Sequence, residues 1–232
     1  MKIFKPIDIV GHRGAAGLAP ENTIKSIKTA LINNADAVEF DVRLTRDNKL
    51  ILCHDNNLER VIGKKTRVKS LSYSEIKKLL TISGDPIPTL EEALEAIGSR
   101  IAIIELKDSD SLKPLLKVID KYPTSNIRIT SFKHIELMLL KKQMPGLFLY
   151  AAENTKPIEA IHNASLVKAD GITLNFWLLN PLTYLFAKKR NLEIMVYTVN
   201  NRFMAWFIHV IYPGVAICTD FPDKIHQHGK KV

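Results

Sequence analysis

Cysteine is scarce in this sequence. Cys53 and Cys218 are the only two among 232 residues. Two cysteines that far apart exclude a disulfide framework or a cysteine zinc cluster, and both read as small core residues in apolar strand patterns. Long apolar runs are missing too, so no membrane-spanning helix is expected. The apolar stretch after Lys5 is short and soon meets His12-Arg13, which does not have the form of a signal peptide. A cytoplasmic protein is the expectation. No glycine-rich phosphate loop follows the first strand pattern, which argues against an open nucleotide-binding sheet. Acidic residues are the minority, 24 against 33 Lys and Arg, giving a formal net charge of +9. The lysines are scattered over helical patterns without a base-stacking motif. They read as a solvated surface that draws in anionic ligands, and no nucleic-acid partner is expected.

What the chain does have is an alternation of short apolar runs and helical patterns. Strand patterns fall at 8–11, 37–44, 50–54, 101–106, 127–131, 147–151, 171–174, 193–199 and 215–219. Helical patterns fill the intervals, from 23–33 to a last one at 223–228, with starts marked by Pro20, Asn22-Thr23 and Pro88-Thr89. Such alternation predicts a parallel α/β fold. The length fits a (β/α)8 TIM-type barrel. The interval between Val42 and Leu50 is too short for a helical crossover, so a hairpin must interrupt the barrel at its second and third strands. The expected organisation is one domain over 1–232, with a small capping insertion at about 55–88.

The chemistry-bearing residues gather at strand ends, where barrel enzymes place their sites. Glu39 and Asp41 are two apart on one strand and so share a face, with Val38, Phe40 and Val42 on the other. Centring the hairpin turn between Asp47 and Asn48 pairs residues whose numbers sum to 95. That register sets Asp41 opposite His54, Asn56 opposite Glu39, and turns Cys53 away with Phe40. An exposed strand face would tolerate two carboxylates, but the continuous apolar residues around them argue against an exposed edge. Burying two like charges is costly without a cation. Glu105, at the end of the run Ile101 to Leu106, supplies a third carboxylate, and Lys107 shares its face. Oxygen ligands alone suit Mg2+ or Ca2+, with Mn2+ a third candidate, rather than zinc.

Several segments in order resemble the glycerophosphodiester phosphodiesterase family. They are His12-Arg13-Gly14, Pro20-Glu21-Asn22-Thr23, Glu39-Phe40-Asp41-Val42, His54-Asp55, Ile87 to Glu91, Glu105-Leu106-Lys107, Tyr197-Thr198-Val199-Asn200 and Thr219 to Asp223. The resemblance spans nearly the whole chain; its departures are Tyr197 in place of the usual tryptophan and Arg60-Val61-Ile62 where threonines are usual. It implies hydrolysis of glycerophosphodiesters to sn-glycerol 3-phosphate and an alcohol. Chemistry and resemblance together give His12 and His54 as general acid and base, in an order left open. Glu39, Asp41 and Glu105 become the metal ligands, and Arg13, Lys107 and Tyr197 the substrate-binding residues. Asn200 and Asp220 are expected to hold loops. A lysophospholipase D type activity on single-chain lipids, or a non-catalytic phosphodiester-binding protein, are the alternatives.

One segment fits a barrel helix poorly. Residues 202–212 are apolar nearly all round. Phe203, Trp206, Phe207 and Val210 have the spacing of a barrel-facing stripe, which leaves Met204, Ile208 and Ile211 as a second stripe. A homo-oligomer contact or a membrane-surface contact is expected there.

Overall fold

The computed structural model describes residues 6–225. Eight parallel strands close into a ring. Taken in chain order they are β1 (Ile9–Gly11), β2 (Ala37–Leu44), β4 (Ile101–Leu106), β5 (Ile127–Ser131), β6 (Phe148–Glu153), β7 (Gly171–Asn175), β8 (Glu193–Tyr197) and β9 (Val215–Thr219). Each neighbours the next, and β1 pairs with both β2 and β9, which seals the barrel. The ninth strand, β3 (Leu50–Leu52), lies antiparallel outside β2. This is a (β/α)8 barrel with a hairpin, as the sequence pattern predicts.

Helices cover the ring. They include α1 (Ile24–Ile32), α4 (Leu90–Ile97), α5 (Leu112–Ile119), α6 (His134–Gln143), α7 (Pro157–Val167), α8 (Pro181–Lys189) and α9 (Arg202–Ile211). The expected starts hold: Thr23 caps α1 by accepting from Ser26 N, and Thr89 forms a capping box with Glu92 on α4. The segment after β3 contains the short helices α2 (Glu59–Ile62) and α3 (Tyr73–Ile76) and has its own apolar cluster of Ile51, Cys53, Leu58, Val68, Ile76 and Ile87. The sequence pattern marks no helix at α2. Of the helix expected at 223–228, Asp223 and Lys224 lie in a turn; the rest of that range, beyond Ile225, lies outside the described residues.

Strand alternation sorts the core. Val38, Phe40 and Val42 pack outward under the helices with Ala102, Ile104 and Leu106. Ala37, Ile101, Ile103, Tyr150, Met195 and Cys218 fill the barrel interior. Glu39, Asp41 and Glu105 therefore project inward, the first two from the middle of β2 and Glu105 from near the C-terminal end of β4. Both cysteines are buried and free.

Three expectations need correction. The β2–β3 register pairs Val42 with Leu52 and Leu44 with Leu50, so paired numbers sum to 94 rather than 95. The turn is the reason. Its central residues are Arg46, Asp47 and Asn48, with Asn48 at φ 59° and Thr45 N donating to Lys49 O. A three-residue turn ending in the left-handed region shifts pairing by one relative to a two-residue turn. Asp41 O thus accepts from Cys53 N, at 3.1 Å, and His54 lies past the end of β3. Asn56 does not face Glu39; its carbonyl accepts from Val68 N, and it borders a cleft beside Arg43 and Asp108. Cys53 joins the insertion's cluster rather than following Phe40.

The stripe on α9 is also inverted. Ala205 and Ile208 are buried against the barrel, while Phe203 is 68% and Trp206 45% exposed. Both stripes obey helical spacing, and periodicity alone does not say which one turns inward. The smaller Ala205 and Ile208 let the helix approach the strands closely. Phe207 and Val210 face outward with Phe203 and Trp206, as does Ile211 of the second stripe.

Candidate active site

The site starts with the loop after β1. His12 N donates to Thr219 O at 2.9 Å, extending the β1–β9 ladder by one bond. Arg13 then takes a positive φ of 49°, and Gly14 follows at φ 85°. A Cβ on Gly14 would lie 2.5 Å from the Ser26 carbonyl carbon, so only glycine lets this loop sit on α1. Ser26 Oγ accepts from Ala15 N and donates to Arg13 O, fixing the turn. Arg13 N in turn donates to Glu39 Oε2 at 2.9 Å.

The three carboxylates converge. Asp41 and Glu105 are register neighbours on β2 and β4. One oxygen each from Glu39, Asp41 and Glu105 lies within 4.8 Å of the others, the spacing of ligands around one cation. Asp41 is only 1% exposed. Lys107 Nζ bridges Asp41 Oδ1 at 2.9 Å and Glu105 Oε1 at 2.5 Å. Arg13 Nε lies 3.3 Å from Asp41 Oδ2, an ion-pair distance without hydrogen-bond geometry. Its Nη1 is held by both oxygens of Glu21.

Three carboxylates against Arg13 and Lys107 leave a formal surplus of one negative charge. Burial, with the charge of Asp41 next to it, pushes the Glu39 carboxyl up to about 7. Burial and Asp41 raise Glu105 in the same way. Burial would raise Asp41 too, but Lys107, Arg13 and the Asn22 amide outweigh it and hold it low. A hard divalent cation fits such an all-oxygen set with unspent negative charge.

Each histidine carries a carboxylate at Nδ1. His12 Nδ1 lies 2.7 Å from Asp220 Oδ1, and His54 Nδ1 lies 2.8 Å from Asp55 Oδ1. A carboxylate accepting from Nδ1–H fixes the tautomer and leaves Nε2 for a reactant. The two rings differ in environment. Burial alone would lower His12, but the Asp220 hydrogen bond and the charge of Glu39 outweigh it and leave it raised. Burial dominates at His54 and leaves it lowered, despite Asp41 and Asp55.

His12, Arg13, Glu39, His54, Glu105, Lys107 and Tyr197 all border one cavity of about 440 Å³ at the barrel mouth. Asp41 lies beneath it, covered by Lys107 and Arg13. Every residue singled out in the sequence is thus in one place. His54 arrives despite the shifted register because it lies beyond the strand, where Arg43 Nε holds its carbonyl at 2.8 Å.

Several residues gain a part that the sequence reading did not give them. Asp220 orients His12, and Asn200 braces Asp220 by accepting from its N–H and donating to Oδ2. Asn22 grips Asp41, donating to Oδ2 at 2.9 Å and accepting from its N–H at 3.1 Å. Arg60 ties Asp55 to Glu21, with 2.7 Å to each. It thereby links the histidine on one side of the mouth to the Arg13 loop on the other. Asp55 and Asp220 were visible as acids at strand ends; their partners depend on how the ring closes.

A barrel whose mouth joins an acidic cluster able to hold a cation to two oriented histidines is equipped for acid–base hydrolysis of a phosphodiester. Known proteins agree. The model of the glycerophosphoryl diester phosphodiesterase family matches residues 12–224. The glycerophosphodiester phosphodiesterase of Caldanaerobacter subterraneus is 31% identical over 233 residues, covering 94% of this chain and 95% of that protein. The Bacillus altitudinis glycerophosphodiester phosphodiesterase is 35% identical over 249 residues, covering 93% and 95%. Among solved structures, an Oleispira antarctica phosphodiesterase in complex with its product sn-glycerol-3-phosphate superposes with a TM-score of 0.89. It is 22% identical, with 95% of each chain covered. The glycerophosphodiester phosphodiesterase of Agrobacterium tumefaciens gives 0.80 at 26% identity, with 94% of this chain and 98% of that one covered. The chain belongs to the glycerophosphoryl diester phosphodiesterase family.

Proposed function

We propose that the barrel mouth hydrolyses glycerophosphodiesters to sn-glycerol 3-phosphate and an alcohol with a divalent cation, Mg2+, Ca2+ or Mn2+, held by Glu39, Asp41 and Glu105. The observation that carries the reading is the meeting of those three carboxylates and two His–Asp pairs in one cavity. The glycerol phosphate bound to the Oleispira relative supports the product. When bound, the cation would offset the phosphoryl charge that repels a nucleophile.

The chain's own residues do the rest. Lys107, and Arg13 held by Glu21, border the cavity as cations for the phosphoryl oxygens. Tyr197, Asn154, Asn175 and Thr198 give the wall hydroxyl and amide groups suited to a polyol. His12, raised and oriented by Asp220, holds a proton at Nε2 for the leaving oxygen. His54, lowered and oriented by Asp55, is neutral and takes a proton from the attacking oxygen. We read the chain as one catalytic unit. The segment at about 55–88 caps the mouth on the His54 side through Arg60 and Asp55. A cytoplasmic setting accords with two buried thiols left unpaired.

The test is product analysis with glycerophosphocholine, glycerophosphoethanolamine, glycerophosphoinositol and lysophospholipids, with and without added metal. Release of sn-glycerol 3-phosphate from the water-soluble diesters is expected. Turnover of lysolipids alone would replace this reading with a lysophospholipase D. No turnover of any substrate with any of the three metals would leave a binding protein.

Asp220→Asn checks the histidine roles. Losing the carboxylate removes the largest of the effects that raise His12, so its pKa falls. The form carrying the acid proton is then lost at lower pH. The alkaline limb of kcat/KM against pH should move downward while the acid limb, set by His54, stays. An unmoved alkaline limb would deny His12 the acid role.

A further inference from the structure

The outer sides of α8 and α9 expose many large apolar side chains. Trp177, in the short turn Phe176–Leu178 after β7, is 75% exposed. Phe186 on α8 and Phe203, Trp206, Phe207 and Val210 on α9 are each at least 40% exposed, and the two helices meet where the Tyr184 and Tyr212 rings lie 5.3 Å apart. The rings of Phe203 and Trp206 stack at 5.6 Å, and those of Phe176 and Trp177 at 4.3 Å. Both tryptophans of the protein are among these exposed residues. Apolar patches of this kind on a soluble fold mark a contact surface.

Charge says what kind of contact. Residues 176–214 contain Lys188, Lys189, Arg190 and Arg202 and a single acid, Glu193. Glu193 turns into the barrel, where it pairs with buried Arg128 at 2.5 Å and with Tyr150. This segment thus carries exposed aromatics and four cations, and its one acid is turned inward. A two-fold contact between copies would set this patch against itself, cation to cation. An anionic lipid surface complements it: aromatic side chains suit the headgroup boundary, and Lys and Arg are drawn to acidic lipids.

We propose that the α8–α9 face docks the protein on anionic membranes. Trp177, Leu182 and Phe203 lie at the ends of these elements that follow strand C-termini, the same end as the cavity. Docking on this face therefore brings the mouth to the headgroup layer, where phosphodiesters derived from lipids are released. The proposal concerns surface binding and is independent of the assigned chemistry.

The experiment uses the full chain and two vesicle types, phosphatidylcholine alone and phosphatidylcholine with about one-third phosphatidylglycerol. The expected result is co-sedimentation with the anionic vesicles and a blue shift of tryptophan emission as Trp177 and Trp206 leave water. Binding should weaken at least about tenfold in neutral vesicles or high salt. Phe207→Glu, and separately the pair Lys189→Glu with Arg202→Glu, should each reduce vesicle binding at least about tenfold. Circular dichroism and turnover of glycerophosphocholine should stay unchanged, since these side chains are exposed and outside the cavity. No blue shift and no sedimentation with anionic vesicles would overturn the proposal. So would a stable dimer by light scattering that Phe207→Glu dissociates, which would assign the face to a second copy.

Discussion

His12→Ala and His54→Ala are each expected to lower kcat by about 10²–10⁴, the usual worth of a positioned acid or base. The geometry makes the expectation specific. Each ring has one nitrogen committed to a carboxylate, and both border the cavity that holds Glu39 and Glu105. Neither ring is in the apolar core, so thermal melting should change little. On the proposed roles of acid and base in one reaction, the double variant should lose much less than the product of the two single losses. Steady-state kinetics at saturating substrate and metal decides it. A variant with near-normal kcat would remove that histidine from proton transfer.

Chelation should abolish turnover, and Mg2+, Ca2+ or Mn2+ should restore it. Three carboxylates within reach of one ion carry more negative charge than Arg13 and Lys107 neutralise, and burial together with the charge of Asp41 pushes Glu39 up to about 7. Glu105→Gln is the informative variant. Asp41 is held by Lys107, Arg13 and Asn22 at once, so changing it would also disturb buried partners. Glu105 engages Lys107 alone among side chains whose bonds are described. Its amide should raise the metal concentration needed for half-maximal activity at least about 10–100-fold, the loss seen even when a group that only orients a ligand is removed. Full activity after exhaustive EDTA treatment, confirmed metal-free by elemental analysis, would refute the metal assignment.

The sequence by itself determined the architecture and the chemistry-bearing residues. Period-two alternation put Glu39 and Asp41 on the face opposite Val38, Phe40 and Val42, because strand pleating admits no other choice. The interval from Val42 to Leu50 forced a hairpin. Strand ends located the site, since a barrel's C-terminal loops are the ones free to vary. All of this is local geometry repeated along the chain.

What only the tertiary structure decided depends on distant segments meeting. Asp220 reaches His12 across 208 residues because β9 closes against β1. Asn22 read as a helix start and turns out to hold Asp41, since the loop after β1 folds back over β2. Arg128 sat in an apolar strand with no visible partner; Tyr150 and Glu193 meet it only inside the closed ring. The hairpin slipped by one residue because the three central residues of its turn, ending at Asn48 in the left-handed region, are set by backbone energetics that a hydrophobic pattern does not encode. On α9 the pattern offered two stripes of equal period. Packing buried Ile208 of the second together with Ala205, which belonged to neither, and turned the aromatic stripe to the outside. Periodicity fixes which residues share a face; only the shape of the surface beneath fixes which face is buried.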